Sequence, residues 1–195
     1  MITRLASIWR DQAGVSAIEF AMLSPALITL LIGTLDIGQM AYGKSVLNGA
    51  VQKAARDSAL ETADTGAADT MVSGLVGPIL PGARVSSQRV SYYDYTDIGR
   101  SERWNDADSN GSCDHHESYV DENGNGQWDA DIGVSGNGGA GDVVVYTVTV
   151  NYEPIFKVPF VPSQWNTRQL VSSAVKKNQP FADQQGYGNT SGVCD

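Results

Sequence analysis

The apolar run of residues 15–35 constrains this chain more than any other feature. Its twenty-one residues carry a single charge, Glu19. At a helical rise of about 1.5 Å per residue they match the ~30 Å hydrocarbon core of a bilayer. The preceding residues hold Arg4, Arg10 and one acid, Asp11. A basic flank of this kind stays cytoplasmic, so everything after Asp36 is expected on the far side of the membrane. Glu19 does not suit such a helix, since a charged group near a helix centre costs about 2.5–3.5 kcal/mol on insertion scales. An uncleaved signal anchor needs only the flank and the run. A secretory signal peptide cut near Ala41-Tyr42-Gly43 needs a shorter apolar core. Neither accounts for the glutamate.

The string Gly14-Val15-Ser16-Ala17-Ile18-Glu19-Phe20 resembles the processing site of type IV prepilins, most closely the tight-adherence (Tad, Flp-type) branch. In that branch a short basic leader ends in glycine, and glutamate then an aromatic follow at the fifth and sixth positions. Phe20 stands where the major pilins of the branch usually have tyrosine. The N-terminal third is similar to TadE-like pseudopilins, through Asp36-Ile37-Gly38-Gln39-Met40-Ala41-Tyr42-Gly43 and Ala50-Val51-Gln52-Lys53-Ala54-Ala55-Arg56. Near the other end, Ser172-Ser173-Ala174-Val175-Lys176-Lys177-Asn178-Gln179-Pro180-Phe181 resembles the closing strand of that family. The resemblance covers both ends and leaves the middle unmatched. It implies that residues 1–14 are a leader removed by a prepilin peptidase between Gly14 and Val15. It implies that residues 15–35 span the inner membrane once, and that Glu19 pairs with the new amine of a neighbouring subunit as helices bundle. It implies a structural role, not an enzymatic one, with other pilins, pseudopilins and the assembly machinery as partners. The subunit then stays in the membrane or enters an extracellular filament.

The net charge is −9. All of it comes from residues 94–131, which hold eleven acids and two arginines, while the rest of the chain balances. One acidic block argues against a nucleic-acid partner and for cations. No G-x-S-x-G and no phosphate loop occurs, both histidines lie within the acidic block, and cation ligation explains the paired carboxylates more simply than glycoside chemistry. Cys113 and Cys194 both follow the apolar run. In an extracytoplasmic compartment two cysteines tend to oxidise, so a bridge between them is expected; free thiols or a bond to another chain are the alternatives.

The fold class expected is α+β: a long helix leaving the membrane and packing on a small antiparallel sheet, with residues 36–195 as the outer domain. Residues 36–62 lack proline and place Ile37, Met40, Ala41, Leu47, Val51, Ala54 and Ser58 at helical spacing. Breaks at Gly38 or Gly43 would divide this helix, and Pro25 removes one backbone bond from the span. Residues 67–80 suit a second, shorter helix. Residues 84–95, 142–152 and 170–176 read as strands. In the second of these, Val144, Tyr146, Val148, Val150 and Tyr152 share a face. Residues 153–162, apolar and broken by prolines, suit a loop packed on the core. The polar tail from Gln184 is expected to be mobile.

Residues 102–132 are a duplication with a fifteen-residue offset. Glu102, Trp104, Asp106, Asp108, Asn110, Gly111 and Asp114 match Glu117, Tyr119, Asp121, Asn123, Asn125, Gly126 and Asp129. Each copy resembles the calcium loop of EF-hands and dockerins. There, oxygen ligands at alternate positions curl round one cation, glycine makes the turn at position six, and a bidentate acid closes position twelve. The resemblance implies two Ca²⁺ ions. In the first loop the ligands are Asp106, Asp108, Asn110, the Ser112 carbonyl, Asp114 and Glu117. In the second they are Asp121, Asn123, Asn125, the Gln127 carbonyl and Asp129. Position twelve of the second loop is Ile132, which cannot bind, so Asp131, or a residue from elsewhere such as Glu102 or Asp142, has to close it. Only Ser118, Tyr119 and Val120 separate the loops, too few for a helix. A disordered acidic insertion is the plain alternative, against which stand Trp104, Tyr119 and Trp128. A zinc or copper site on Cys113, His115 and His116 would compete for Cys113 and Asp114. A membrane-anchored, calcium-dependent binding module is the alternative reading of the whole chain.

Overall fold

The computed structural model describes residues 15–155, 162 and 167–195. The leader, with Gly14, and most of the proline-broken segment lie outside the described residues. The elements in chain order are α1 (Val15–Asp57), α2 (Thr65–Val76), β1 (Arg84–Tyr92), a 3-10 turn (Tyr95–Asp97), β2 (Ser118–Asp121), β3 (Val134–Ser135), β4 (Val143–Tyr152), β5 (Arg168–Lys177) and β6 (Thr190–Val193).

The long helix α1 runs unbroken through Pro25, Gly38 and Gly43. Its two halves have different surroundings. The apolar side chains of the first half, Ile18, Phe20, Met22, Leu23 and Leu30 among them, are exposed. It is long and apolar enough to cross a membrane. The second half buries Gly43, Leu47, Ala50, Val51, Ala54 and Ala55. Ile37 and Met40, expected in the packed stripe, are exposed at 62% and 38%. Spacing puts them on a helical face, but the contacts this stretch makes with the domain are polar, Asp36 with Arg168 of β5 and Gln39 Nε2 with Ile79 O. At Gly43 a Cβ would stand 3.2 Å from the Leu80 side chain, so glycine allows the chain after α2 to seat against α1. The string Asp64-Thr65-Gly66 separates the two helices, and Asp64 starts the second: its Oδ1 accepts from Ala67 N at 2.9 Å, satisfying one of the free donors of the first turn.

The main sheet is antiparallel with strand order β3-β1-β4-β5. Tyr146, Val148, Val150 and Tyr152 of β4 are buried with Leu170 and Ala174 of β5 against Leu47, Val51 and Ala54 of α1 and Val72 and Val76 of α2. Each fully buried valine or leucine contributes about 1.5–3 kcal/mol, so this layer is what holds helices and sheet together. Alternation in β5 turns its valines outward. Val171 and Val175 are exposed, while Ser172 and Lys176 are buried. The register pairs Val148 with Ser172 and Val144 with Lys176, fixing those two on the helix side. There Ser172 Oγ donates to Asn48 Oδ1 at 2.7 Å. Lys176 Nζ donates to Ser58 O at 2.5 Å, Asn137 Oδ1 at 2.7 Å and Asn178 Oδ1 at 3.0 Å. Burial, with the charge of Arg89 adding to it, lowers the Lys176 ammonium to about 8.

A second, two-stranded sheet pairs β2 with β6, in the register Tyr119 opposite Gly192. Any side chain at Gly192 would overlap the Tyr119 ring, so the closeness of these strands requires glycine. The polar tail, expected to be mobile, contacts the rest of the domain. Gln184 Nε2 donates to Tyr93 O at 2.8 Å and Asp142 Oδ1 at 2.9 Å, Tyr187 OH donates to Asp97, and the rings of Tyr187 and Tyr93 lie 4.5 Å apart. The tail is polar because its partners are backbone and carboxylate groups, which composition alone does not reveal.

Candidate metal centre

The duplicated segment folds as two loops that share backbone conformation at their turns. Positions four and six lie in the left-handed region in both: Ser109 and Gly111 in the first, Gly124 and Gly126 in the second. Glycine is the residue that takes such a conformation without strain. The lead-ins of the two repeats pair antiparallel across a Trp104–Tyr119 bridge, with Asn105 N donating to Ser118 O at 2.9 Å and Val120 N to Arg103 O at 2.8 Å. Trp104 and Trp128 meet edge-on at 5.3 Å. This arrangement needs no intervening helix.

Inside each loop the first aspartate accepts backbone N–H groups at the same places. Asp106 takes Asn110 N at 3.1 Å and Gly111 N at 3.0 Å. Asp121 takes Asn125 N at 3.1 Å and Gly126 N at 2.8 Å. Position three accepts from position five: Asp108 from Asn110 N and Asn123 from Asn125 N, both at 3.1 Å. Position five accepts from position seven: Asn110 from Ser112 N at 2.7 Å and Asn125 from Gln127 N at 2.8 Å. The amide Nδ2 of Asn110 points at Asp114, and that of Asn125 at Asp129 Oδ2, 2.6 Å away. In both loops, therefore, the position-five amide nitrogen faces the position-nine carboxylate while its oxygen accepts from position seven.

In the first loop Glu117 closes the ring. Its Oε1 accepts from Ala107 N at 2.5 Å and its Oε2 from Asp114 N at 3.5 Å. Carboxylate oxygens of Asp106, Asp108 and Glu117 lie within 4.8 Å of one another, as do donor atoms of Asp108, Asp114 and His115. His115 is largely exposed and stands 3.7 Å from Asp114. Cys113 is joined to Cys194 by a disulfide, so its thiolate is unavailable to a soft-metal site on Cys113, His115 and His116. Apart from the exposed His115 the remaining donors are oxygens, and an oxygen set suits a hard cation such as calcium.

The second loop is enclosed differently. Both oxygens of Asp131 are engaged outside the ring, one by Tyr92 OH at 3.0 Å and one by Gly133 N at 3.1 Å. Asp142 turns to Gly139 N at 2.6 Å and to Gln184. Glu102 points into the loop, accepting from Glu122 N at 2.7 Å, Asn123 N at 3.3 Å and Asp129 N at 3.2 Å. Glu122 serves as a brace. Arg100 donates to its two oxygens at 3.1 and 2.8 Å, and Arg103 Nε to one of them at 2.9 Å. Hydrogen bonds from Arg100 hold its carboxyl at about 2 against the opposing effect of burial, and Arg103 adds to them. Position two of an EF-hand-like loop is not a ligand position, and no spacing rule flags this ion-pair role.

The residues of the expected processing site lie at the start of α1. Val15, Glu19 and Phe20 are exposed. Among the described residues Glu19 is in no ion pair, and Gly14 lies outside them. No match was found among the curated proteins or the solved structures. The family model described as TadE-like protein matches residues 14–56. That stretch is almost the whole of α1, from the glycine before it to its last turn. Over residues 14–56, then, this chain is similar to the TadE-like family.

Proposed function

We propose that this protein is a minor, TadE-like pseudopilin of a tight-adherence pilus or related secretion assembly, with a calcium-stabilised outer domain. One observation carries the reading: the TadE-like stretch coincides with a helix whose first half is exposed and membrane-length while its second half is built into the outer core. A subunit of this shape is held in the inner membrane and presents its sheet and loops beyond it. Glu19 lies at the membrane entry, where the amine of Val15 on a neighbouring subunit can neutralise it once the leader is gone. Asp36 marks the exit and pairs with Arg168 of β5 at 2.9 Å. That ion pair fixes the direction in which the helix meets the domain.

Calcium has a structural part in this reading. Clustered acids repel one another, and an ion shared by each loop converts that repulsion into cross-links. Asp106, Asp108, Asn110, Ser112, Asp114 and Glu117 hold the first ion, and Asp121, Asn123, Asn125, Gln127 and Asp129 contribute to the second. Prepilin peptidase is the processing partner. The N-terminus of the mature protein tests the reading. Sequencing starts at Val15, and Gly14→Arg, which enlarges the residue at the scissile bond, accumulates as the full-length precursor. Normal maturation of that variant in cells containing the peptidase would remove the pseudopilin assignment.

A further inference from the structure

The two repeats are linked by more than their shared bridge. In the first loop, Glu117 makes three characteristic contacts. Its own N–H donates to the carbonyl of position nine, Asp114, at 2.9 Å. Its carboxylate receives the N–H of position two, Ala107, and that of position nine. Glu102 makes the same three contacts with the other loop. Its N–H donates to Asp129 O at 2.9 Å. Its Oε1 receives the N–H of position two, Glu122, at 2.7 Å, and its Oε2 that of position nine, Asp129, at 3.2 Å. The match includes the main chain, so it does not depend on one side-chain rotamer. Glu102 lies twenty-seven residues before Asp129, whereas Glu117 lies three after Asp114.

An independent observation concerns charge. Glu102 is 0% exposed. Among the described residues no lysine, arginine or histidine forms an ion pair with it. The basic side chains next to it in sequence, Arg100 and Arg103, are committed to Glu122. Taking a carboxylate out of water costs several kcal/mol unless a counter-charge is supplied, and in proteins such groups are paired or ligate metals. In the same loop Asp121, also buried, accepts from Asn125 N and Gly126 N, and Asp129 Oδ2 accepts from Asn123 Nδ2 and Asn125 Nδ2.

We infer that Glu102 is the closing cation ligand of the second loop, so that the leading glutamate of each repeat closes the loop of the other. This rests on the calcium reading above. The two sites then form one interlocked unit. Neither repeat can bind its ion fully without the other, and the fifteen-residue duplication works only as a pair.

The test uses the full chain in detergent, melted in chelator and in millimolar calcium, with calorimetric titration of calcium. The wild type melts higher in calcium and binds two ions. Glu102→Gln weakens one binding step about tenfold or more and loses about half of the calcium-dependent rise, while its melting in chelator stays close to wild type. Asp131→Asn keeps both steps and the whole rise. Should Glu102→Gln not fold, Glu102→Asp, which keeps the charge but withdraws it by one methylene, takes its place in the same comparison. Equal destabilisation in chelator and calcium, with both binding steps intact, would make Glu102 a structural brace and overturn the inference. So would loss of a site in Asp131→Asn. A wild type indifferent to calcium overturns the calcium reading itself and is seen before any variant is made.

Discussion

At the residue scale, one carboxylate ties three elements together. Asp69, on α2, accepts from Arg89 at 2.7 and 3.0 Å, from Ser87 Oγ at 2.7 Å and from Tyr146 OH at 2.6 Å. Arg89 in turn lies over the Tyr146 ring, 4.2 Å from its centre. Burial pushes the Asp69 carboxyl up, and the bonds from Arg89, Tyr146 and Ser87 together more than reverse it, so it titrates below the ordinary aspartate value. The native state therefore binds this proton less readily than the unfolded chain. The stability it contributes is complete above about pH 4 and is lost as pH falls through the lowered native value. Asp69→Asn should destabilise by about 1–3 kcal/mol at pH 7, since it leaves Arg89 partly unpaired. In urea denaturation the gap between variant and wild type should close towards pH 2. A gap that stays constant between pH 7 and pH 2 would show that Asp69 is not the titrating hub.

At the element scale, β6 shows how a short strand is held. Four residue pairs join it to β2, too few to stand alone. Two further ties surround it. Cys194 is bonded to Cys113 across 81 residues of chain, its backbone N–H donates to Glu117 O at 2.8 Å, and its carbonyl accepts from His116 N at 3.1 Å. Closing a loop of that length limits the unfolded chain by at most about 4.5 kcal/mol on the chain-entropy account. Reduction should release β6 and loosen the backbone beside Glu117, the residue that closes the first loop. Hydrogen exchange followed by mass spectrometry should show residues 186–195 losing protection in reductant while β4 keeps it. Unchanged protection in the tail would mean that strand pairing alone holds β6.

At the scale of the whole molecule, α1 divides the work between its halves. One half is solvated by lipid in the proposed assembly, and the other supplies one layer of the outer core. Glu19 belongs to the first half, 17 positions before the ion-paired Asp36. Glu19→Ala removes an acid from an apolar helix, so membrane insertion should be at least as efficient as in wild type. Association with other pilins should fall, because the amine of the neighbouring Val15 loses its counter-charge. Co-purification of partner subunits from detergent extracts measures this, and undiminished recovery would count against the pairing.

Features carried by neighbouring residues are legible in the amino-acid sequence itself. A span of twenty-one residues with one charge gives a membrane-length helix, strict alternation gives β4, and a repeated Asp/Asn/Gly spacing gives the two loops down to their first nine positions. Each depends on spacing along the chain. The closing group of the second loop is not settled that way: Asp131, Asp142 and Glu102 are equal candidates in one dimension. Only the pairing of the two lead-ins brings Glu102 onto Asp129, while Tyr92 and Gln184 draw the other two acids away. The inward face of β5 likewise depends on its register with β4, and the burial of Lys176 on where α1 ends. The course of the tail depends on Tyr93, Asp97 and Glu122, all far away in sequence. Periodicity records which residues share a face of their own element. It carries no record of which distant partner that face will meet, and at those points tertiary packing decided the structure.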